Sequence, residues 1–267
     1  MPNIRTNGID IHYEERGSGE PLILLMGLGA DGPTWEDHVK VYEHHFRCIL
    51  IDNRGAGRSA KPLGPYTTRM MAEDTAGLMK ALQIERAHVS GISMGSGIAQ
   101  ELALLEPDRI KSLTLIASWD RCDTYTKRIF ENFRSLRGTS DPITFNRLLQ
   151  LWIFTPEWHN NRLDDLLQRE EAGKSYAYPM PLHAFQAQCD ACISHDTQHR
   201  LHTIQTPVLV TSGDIDVFTP LHYSRVIAAS IPGAELAVFE GGGHTHHWEK
   251  LDAFNEKTLE FLLKNQG

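Results

Sequence analysis

Short apolar runs and amphipathic stretches alternate over the first 118 residues. Residues 9–15 alternate apolar and polar positions as an edge strand does, and Gly17, Gly19 and Pro21 make a turn behind them. Residues 22–26 are continuously apolar, as suits a strand buried on both faces. A glycine-rich loop at 27–32 leads through Pro33 and Thr34 into a helix ending near His44. A strand at 47–52 and a tight glycine turn at 55–57 follow. Met71, Leu78, Met79 and Leu82 then mark a helix over 68–82. The remaining elements of this part are a strand at 87–92, a helix at 96–105 stopped by Pro107, and a strand at 110–117. Strands alternating with helices imply a parallel sheet covered on both faces.

Residues 119–200 change character. Arg128, Phe130, Phe133, Leu148, Leu149 and Trp152 recur at helical spacing with no buried-strand run among them, so this stretch reads as a mostly helical insertion. The strand–helix rhythm then returns, with strands at 208–212 and 235–239 and helices at 223–229 and 251–263. The pattern predicts a core of residues 1–118 and 201–267 interrupted by residues 119–200.

Composition narrows the function classes. Twenty-six Lys and Arg against 34 Asp and Glu give a net charge of −8 in 267 residues. Such a chain lacks the basic face that a phosphate backbone requires, so nucleic acid is not an expected partner. With 41% hydrophobic and 22% charged residues it is an ordinary globular composition. No apolar stretch approaches the roughly 18–20 residues of a membrane span, and the first residues lack the apolar core of a secretory signal. Four cysteines do not make a disulfide framework. A cytoplasmic protein without a membrane partner is the expectation; a homo-oligomer is compatible with all of this.

Gly91-Ile92-Ser93-Met94-Gly95 lies between a predicted strand and a predicted helix. A serine on so sharp a turn needs small neighbours two positions away, and its hydroxyl projects beyond the strand's C-terminal edge beside a helix N-terminus that favours negative charge. A neutral serine is a poor nucleophile and needs a base with a group to orient it. Asp214 and Asp216 follow one later strand and His244 follows the next, so the chain order serine, acid, histidine is met by Ser93, Asp216 and His244. His244 would take the serine proton while Asp216 fixes its tautomer. The Met94 N–H, with one from Gly27-Leu28-Gly29, that of Leu28, would hold the oxyanion.

These residues, with Asp52-Asn53-Arg54-Gly55-Ala56-Gly57-Arg58-Ser59, 213–220 and Gly243-His244, identify a chain that resembles the α/β-hydrolase family over essentially its whole length. The resemblance implies a mostly parallel sheet flanked by helices, with a helical cap inserted over the serine. In the family pattern the acid lies three residues after a glycine and four before a proline. Asp216, between Gly213 and Pro220, fits; Asp214 reads as a loop-capping residue. Some relatives carry the acid where Asp120 sits here. The family's frequent His-Gly in the oxyanion loop is Met26-Gly27 in this chain. The 52–59 segment reads as turn architecture, with Arg54 pairing locally.

Trp119, Trp152 and Arg121 are the candidate substrate contacts of the cap, with Phe154 and Trp158 as further wall aromatics and Arg128, Arg134, Arg137 and Arg147 as further cations. One inward arginine would bind a carboxylate bidentately. His244-Thr245-His246-His247 lacks the carboxylate or cysteine spacing of a metal site, Cys189–Cys192 sits away from any sheet strand, and the loop at 27–32 is no dinucleotide fingerprint. No metal and no cofactor are expected. Lys61-Pro62-Leu63-Gly64-Pro65-Tyr66-Thr67, 153–158 and 207–244 are most similar to the 3-oxoadipate enol-lactonase and aminoacrylate hydrolase group. That resemblance implies hydrolysis, within a catabolic pathway, of a small ester or lactone, carboxylate-bearing in that group, by an acyl-enzyme, with water as the second substrate. Cleavage of a C–C or C–N bond on the same fold is the alternative, and a ligand receptor that keeps the fold is a third reading. Perhydrolysis is disfavoured by Leu28-Gly29 in place of proline, and haloalkane dehalogenation by a serine at position 93.

Overall fold

The computed structural model describes residues 3–267. Eight strands form one sheet in the order β1-β2-β4-β3-β5-β6-β7-β8. They are β1 (Asn3–Thr6), β2 (Ile9–Arg16), β3 (Glu20–Leu25), β4 (Phe46–Ile51), β5 (Ala87–Ile92), β6 (Ile110–Ile116), β7 (Val208–Gly213) and β8 (Glu235–Phe239). β1 with β2 and β2 with β4 are antiparallel, and every other pair is parallel. The strand at 9–15 is therefore not the edge. Asn7-Gly8, both at positive φ, closes a hairpin that adds β1 outside it. That dipeptide is a strong hairpin signal, while the four residues of β1 are too polar to register as a strand by apolar pattern.

Burial on both faces explains the unbroken apolar runs. Leu22 and Leu24 point to one face, among Trp35, Val39, Tyr42, Phe46 and Phe254. Ile23 and Leu25 point to the other, among Met71, Leu78, Val89, Ile98 and Leu113. The first face is covered by α1 (Glu36–Tyr42) and α11 (Leu251–Lys264); the second by α2 (Thr68–Ala81), α3 (Met94–Leu105) and α9 (Leu221–Ser230). Between β6 and β7 lie five helices: α4 (Thr124–Thr139), α5 (Pro142–Ile153), α6 (Pro156–Asn161), α7 (Leu163–Lys174) and α8 (Leu182–Ser194). α4, α5 and α6 each start at an Asp or Thr, namely Asp123, Asp141 and Thr155, whose side chain accepts a backbone N–H of the first turn. Phe130, Phe133, Phe145, Phe185 and Phe218 meet edge to face beneath them. One turn, α10 (His246–Glu249), had no counterpart in the sequence reading. No helix among the described residues is long and apolar enough to cross a membrane.

Candidate active site

Ser93 follows β5 and caps α3 with φ 53° and ψ −118°, a left-handed backbone that a residue with a side chain rarely adopts. The strained turn, of order 1–3 kcal/mol, persists because its neighbours leave no alternative. A Cβ at Gly91 would strike the Gly95 carbonyl oxygen, and one at Gly95 the Leu25 carbonyl oxygen. The Ser93 N–H is held by the Ile116 carbonyl at 2.8 Å, which ties the elbow to the end of β6.

The loop after β7 forms a compact receptor for one carboxylate. Asp216 Oδ1 accepts the Phe218 and Thr219 N–H groups at 2.7 and 2.8 Å. Its Oδ2 lies 3.0 Å from His244 Nδ1 and 2.7 Å from Thr219 Oγ1. Phe218 packs on the His244 ring, centroids 4.6 Å apart. Both Asp216 and His244 are buried, so the pair faces little competition from water. Asp214 instead accepts the Gly241 N–H and is exposed. Asp120 is buried at the end of β6 with Oδ2 unpartnered, and burial pushes its carboxyl above the ordinary value. Of the three acids, Asp216 is the one hydrogen-bonded to His244.

Ser93 and His244 meet at a cavity of about 770 Å³, which Gly27, Leu28 and Gly29 also line. A Cβ on Gly27 would sit 3.3 Å from the Ser93 Cβ, so glycine lets the loop approach Ser93. Neither the Leu28 nor the Met94 N–H is spent on another backbone carbonyl among the described residues. Gln188 of α8 braces the loop: its Oε1 accepts from Gly29 N at 3.0 Å, and its Nε2 donates to the Arg54 carbonyl at 2.8 Å. The 52–59 turn is architectural in the same way. Asp52 accepts the Gly32 and Arg58 N–H groups, and Arg54 is buried in a bidentate pair with Asp74 at 2.7 and 2.8 Å.

Phe145, Leu149, Ile153, Met180 and Phe185 supply the apolar wall. The three expected cap contacts lie elsewhere. Trp119 is fully buried against Phe130 and His195, because the chain turns into the hinge of the helical segment as soon as β6 ends. Arg121 is exposed and bridges Asp196 through the backbone, and Trp152 packs edge-on to Phe133. Among the expected cap arginines, Arg137 lines the cavity, with Lys174 as a second cation; Arg134 and Arg147 pair with Asp190 and Glu170. Cys189 and Cys192 are buried free thiols of α8, their pKa values raised by burial. Sequence reasoning missed Thr219, Gln188 and Phe218; of these only Thr219, three residues after the acid and just before the marker proline, carried a local signal.

A family model described as the alpha/beta hydrolase fold matches residues 20–251. The chain belongs to the α/β-hydrolase family. One relative of this hydrolase, from Azorhizobium caulinodans, carries the provisional name carbamate hydrolase RutD and is 31% identical over 98% of both chains. Another, from Mycobacterium tuberculosis, carries the provisional name non-heme bromoperoxidase BpoC and is 31% identical over 95% of this chain and 98% of its own. The crystal structure of the enol-lactonase from Burkholderia xenovorans LB400 superposes with a TM-score of 0.89 at 26% identity, covering 98% of this chain and all of that one. The hydrolase thus has relatives that bear three different activity names on one scaffold, so the scaffold alone does not choose a substrate.

Proposed function

We propose that this hydrolase cleaves a small carboxylic ester or lactone through an acyl-enzyme on Ser93. The observation that carries the reading is the His244–Asp216 pair, 3.0 Å apart and buried, in the wall of the same cavity as a serine on a strained strand-to-helix turn. Ser93 Oγ attacks the carbonyl carbon as His244 Nε2 removes its proton. Asp216, fixed by two backbone N–H groups, keeps the imidazole proton on Nδ1 and stabilises the imidazolium. The Leu28 and Met94 N–H groups receive the oxyanion, a contribution of about 10²–10³ in rate for one donor. His244 then protonates the leaving oxygen, and a water molecule, deprotonated by the same ring, releases the acid. Among the described residues Ser93 Oγ makes no hydrogen bond to His244, whose Nδ1 is held by Asp216; such contacts commonly tighten only in the Michaelis complex.

Arg137 in the cavity wall supports a carboxylate on the acyl chain; Lys174 lines the same wall but is paired with Glu171, and Asp141 lies there too. A second reading, C–N cleavage in a carbamate, is favoured by the relative of that name at 31% identity. The test is steady-state turnover by the unaltered protein and Ser93→Ala of short p-nitrophenyl esters, neutral lactones, carboxylate-bearing enol-lactones and N-aryl carbamates, the last read by release of the arylamine. Ester or lactone turnover that Ser93→Ala loses supports the proposal. Turnover confined to carbamates moves it to the second reading, and equal turnover by both proteins sinks the acyl-enzyme.

A further inference from the structure

Three residues beyond the catalytic histidine, a second imidazole reaches the same cavity. His247, in the first turn of α10, lines the cavity together with Ser93 and His244. Its Nδ1 lies 3.0 Å from His38 Nε2, and His38 Nδ1 lies 2.7 Å from Asn255 Oδ1. The chain of side chains thus runs from the cavity, through His247 and His38, to α11. Nothing in the proposed acyl transfer uses it.

The order of donors along this chain follows from counting protons. Burial holds both rings in the neutral form: His38 is pushed down to about 4, and His247 well below its ordinary value. A neutral imidazole carries one N–H. With the Asn255 carbonyl oxygen against it, His38 must carry its proton on Nδ1, which leaves Nε2 a bare acceptor. His247 must then donate from Nδ1, and its own Nε2 is left as a lone pair. Among the described residues that nitrogen has no hydrogen-bond partner, and it is not one of the fully buried orphaned atoms. His247 lines the cavity and is otherwise buried at 1% exposure, so the cavity is the opening we assign to that nitrogen.

We propose that His247 Nε2 is a fixed hydrogen-bond acceptor for an N–H or O–H group of the substrate, with His38 and Asn255 as positioning residues that set its tautomer. The cavity then offers two opposite polar signals, a guanidinium at Arg137 and a lone pair at His247, beside the Asp141, Asn146 and Lys174 of its wall. It selects a small polar acyl compound that carries a donor as well as a carbonyl. This rests on the proposed hydrolase reading for its substrate class, but the tautomer does not.

The ring ¹⁵N–¹H NMR spectrum of the protein, assigned with His247→Gln and His38→Gln, reads the tautomer without any turnover. The expected result is His247 protonated at Nδ1 and bare at Nε2, changing in Asn255→Leu and retained in Asn255→Asp. A proton on Nε2 would overturn the proposal, since the cavity would then present a donor suited to a carboxylate. Kinetically, kcat/KM for methyl 3-acetamidopropanoate should exceed that for its N-methylated analogue by about 10-fold. The ratio should fall toward 1 in His247→Phe. A ratio that survives His247→Phe would also overturn it. Loss of all turnover in Ser93→Ala with the ratio near 1 in the unaltered protein would refute this inference alone, whereas turnover that persists in Ser93→Ala would refute the acyl-enzyme instead.

Discussion

The floor and the roof of the cavity are built on different physics. The floor is made by loops at the C-terminal ends of β3, β5, β7 and β8, and its framework is hydrogen-bonded: Asp216 with two N–H groups, a hydroxyl and His244, and Gly29 N with Gln188. The roof is a set of helices held mainly by aromatic edges, such as Phe133 against Phe145 and Phe218. Hydrogen bonds off a rigid sheet place atoms to a fraction of an ångström, which nucleophile, base and oxyanion donors need. Apolar packing tolerates exchange of one hydrophobic side chain for another, which suits a wall that must change with the substrate. Gln188 is where the two meet, because a roof helix there fixes a floor loop.

The largest effect should come from breaking the floor without changing its shape. In Asp216→Asn the side-chain oxygen can keep the two backbone N–H bonds, which turns the amide NH₂ toward His244 Nδ1. The ring must then accept there and carry its proton on Nε2, the wrong tautomer for a base. Turnover should fall by about 10⁴-fold. Asp120→Asn, which touches no part of this pair, should cost far less. A larger loss in Asp120→Asn would transfer the acid's role to that residue.

Beneath the floor and at the hinge, acid should act on stability. Burial holds His38, His195 and His246 near 4 against an ordinary 6.5, and His247 lower still. An unfolded chain regains the ordinary value, so below pH 6.5 it binds protons that the folded chain refuses. Stability is therefore lost as pH falls from 6.5 toward 4, by about 1.4 kcal/mol per pH unit for each such ring. The loss levels off once the folded rings protonate. Urea midpoints measured across this range should show it, with a shallower slope in His195→Gln; an unchanged slope would mean His195 titrates normally in the folded protein.

Phe133→Ala, a roof substitution, should lower unfolding stability by about 3–5 kcal/mol through the cavity it leaves. The floor's hydrogen bonds should survive it, so the fraction of Ser93 labelled by an organophosphonate in folded protein should stay near that of the unaltered chain. A collapse of labelling would show that roof packing also sets the floor. The smallest effect belongs to Arg137→Gln. KM for carboxylate-bearing substrates should rise about 10-fold while neutral esters are little changed, as expected for loss of one partly screened ion pair. Equal effects on both classes would remove the carboxylate from the substrate description.

Much of the floor is legible in the chain because its constraints are local. The turn at Ser93 needs Gly91 and Gly95 within two residues, and the loop from Gly213 to Pro220 carries the family's spacing, which the resemblance uses to separate Asp216 from Asp214. Buried strands announce themselves as well: 22–26 is apolar on both faces because helices cover both. β1 escaped because four largely polar residues at a sheet edge need only backbone pairing, and the signal lay in the Asn7-Gly8 turn.

Residue order determined the architecture, the chain order of serine, acid and histidine, and the helical character of the stretch between β6 and β7. It did not determine which side chains of that stretch face the serine. Trp119, Trp152 and Arg121 had the right chemistry and the wrong direction, while Arg137, Phe145 and Phe185 are turned inward by the way α4, α5 and α8 pack on one another. Nor could it join His38 to His247 and Asn255, which are 209 and 217 residues away from it. Local backbone geometry is written in neighbouring residues. Facing and long-range pairing exist only once helices have chosen their rotation against a common core.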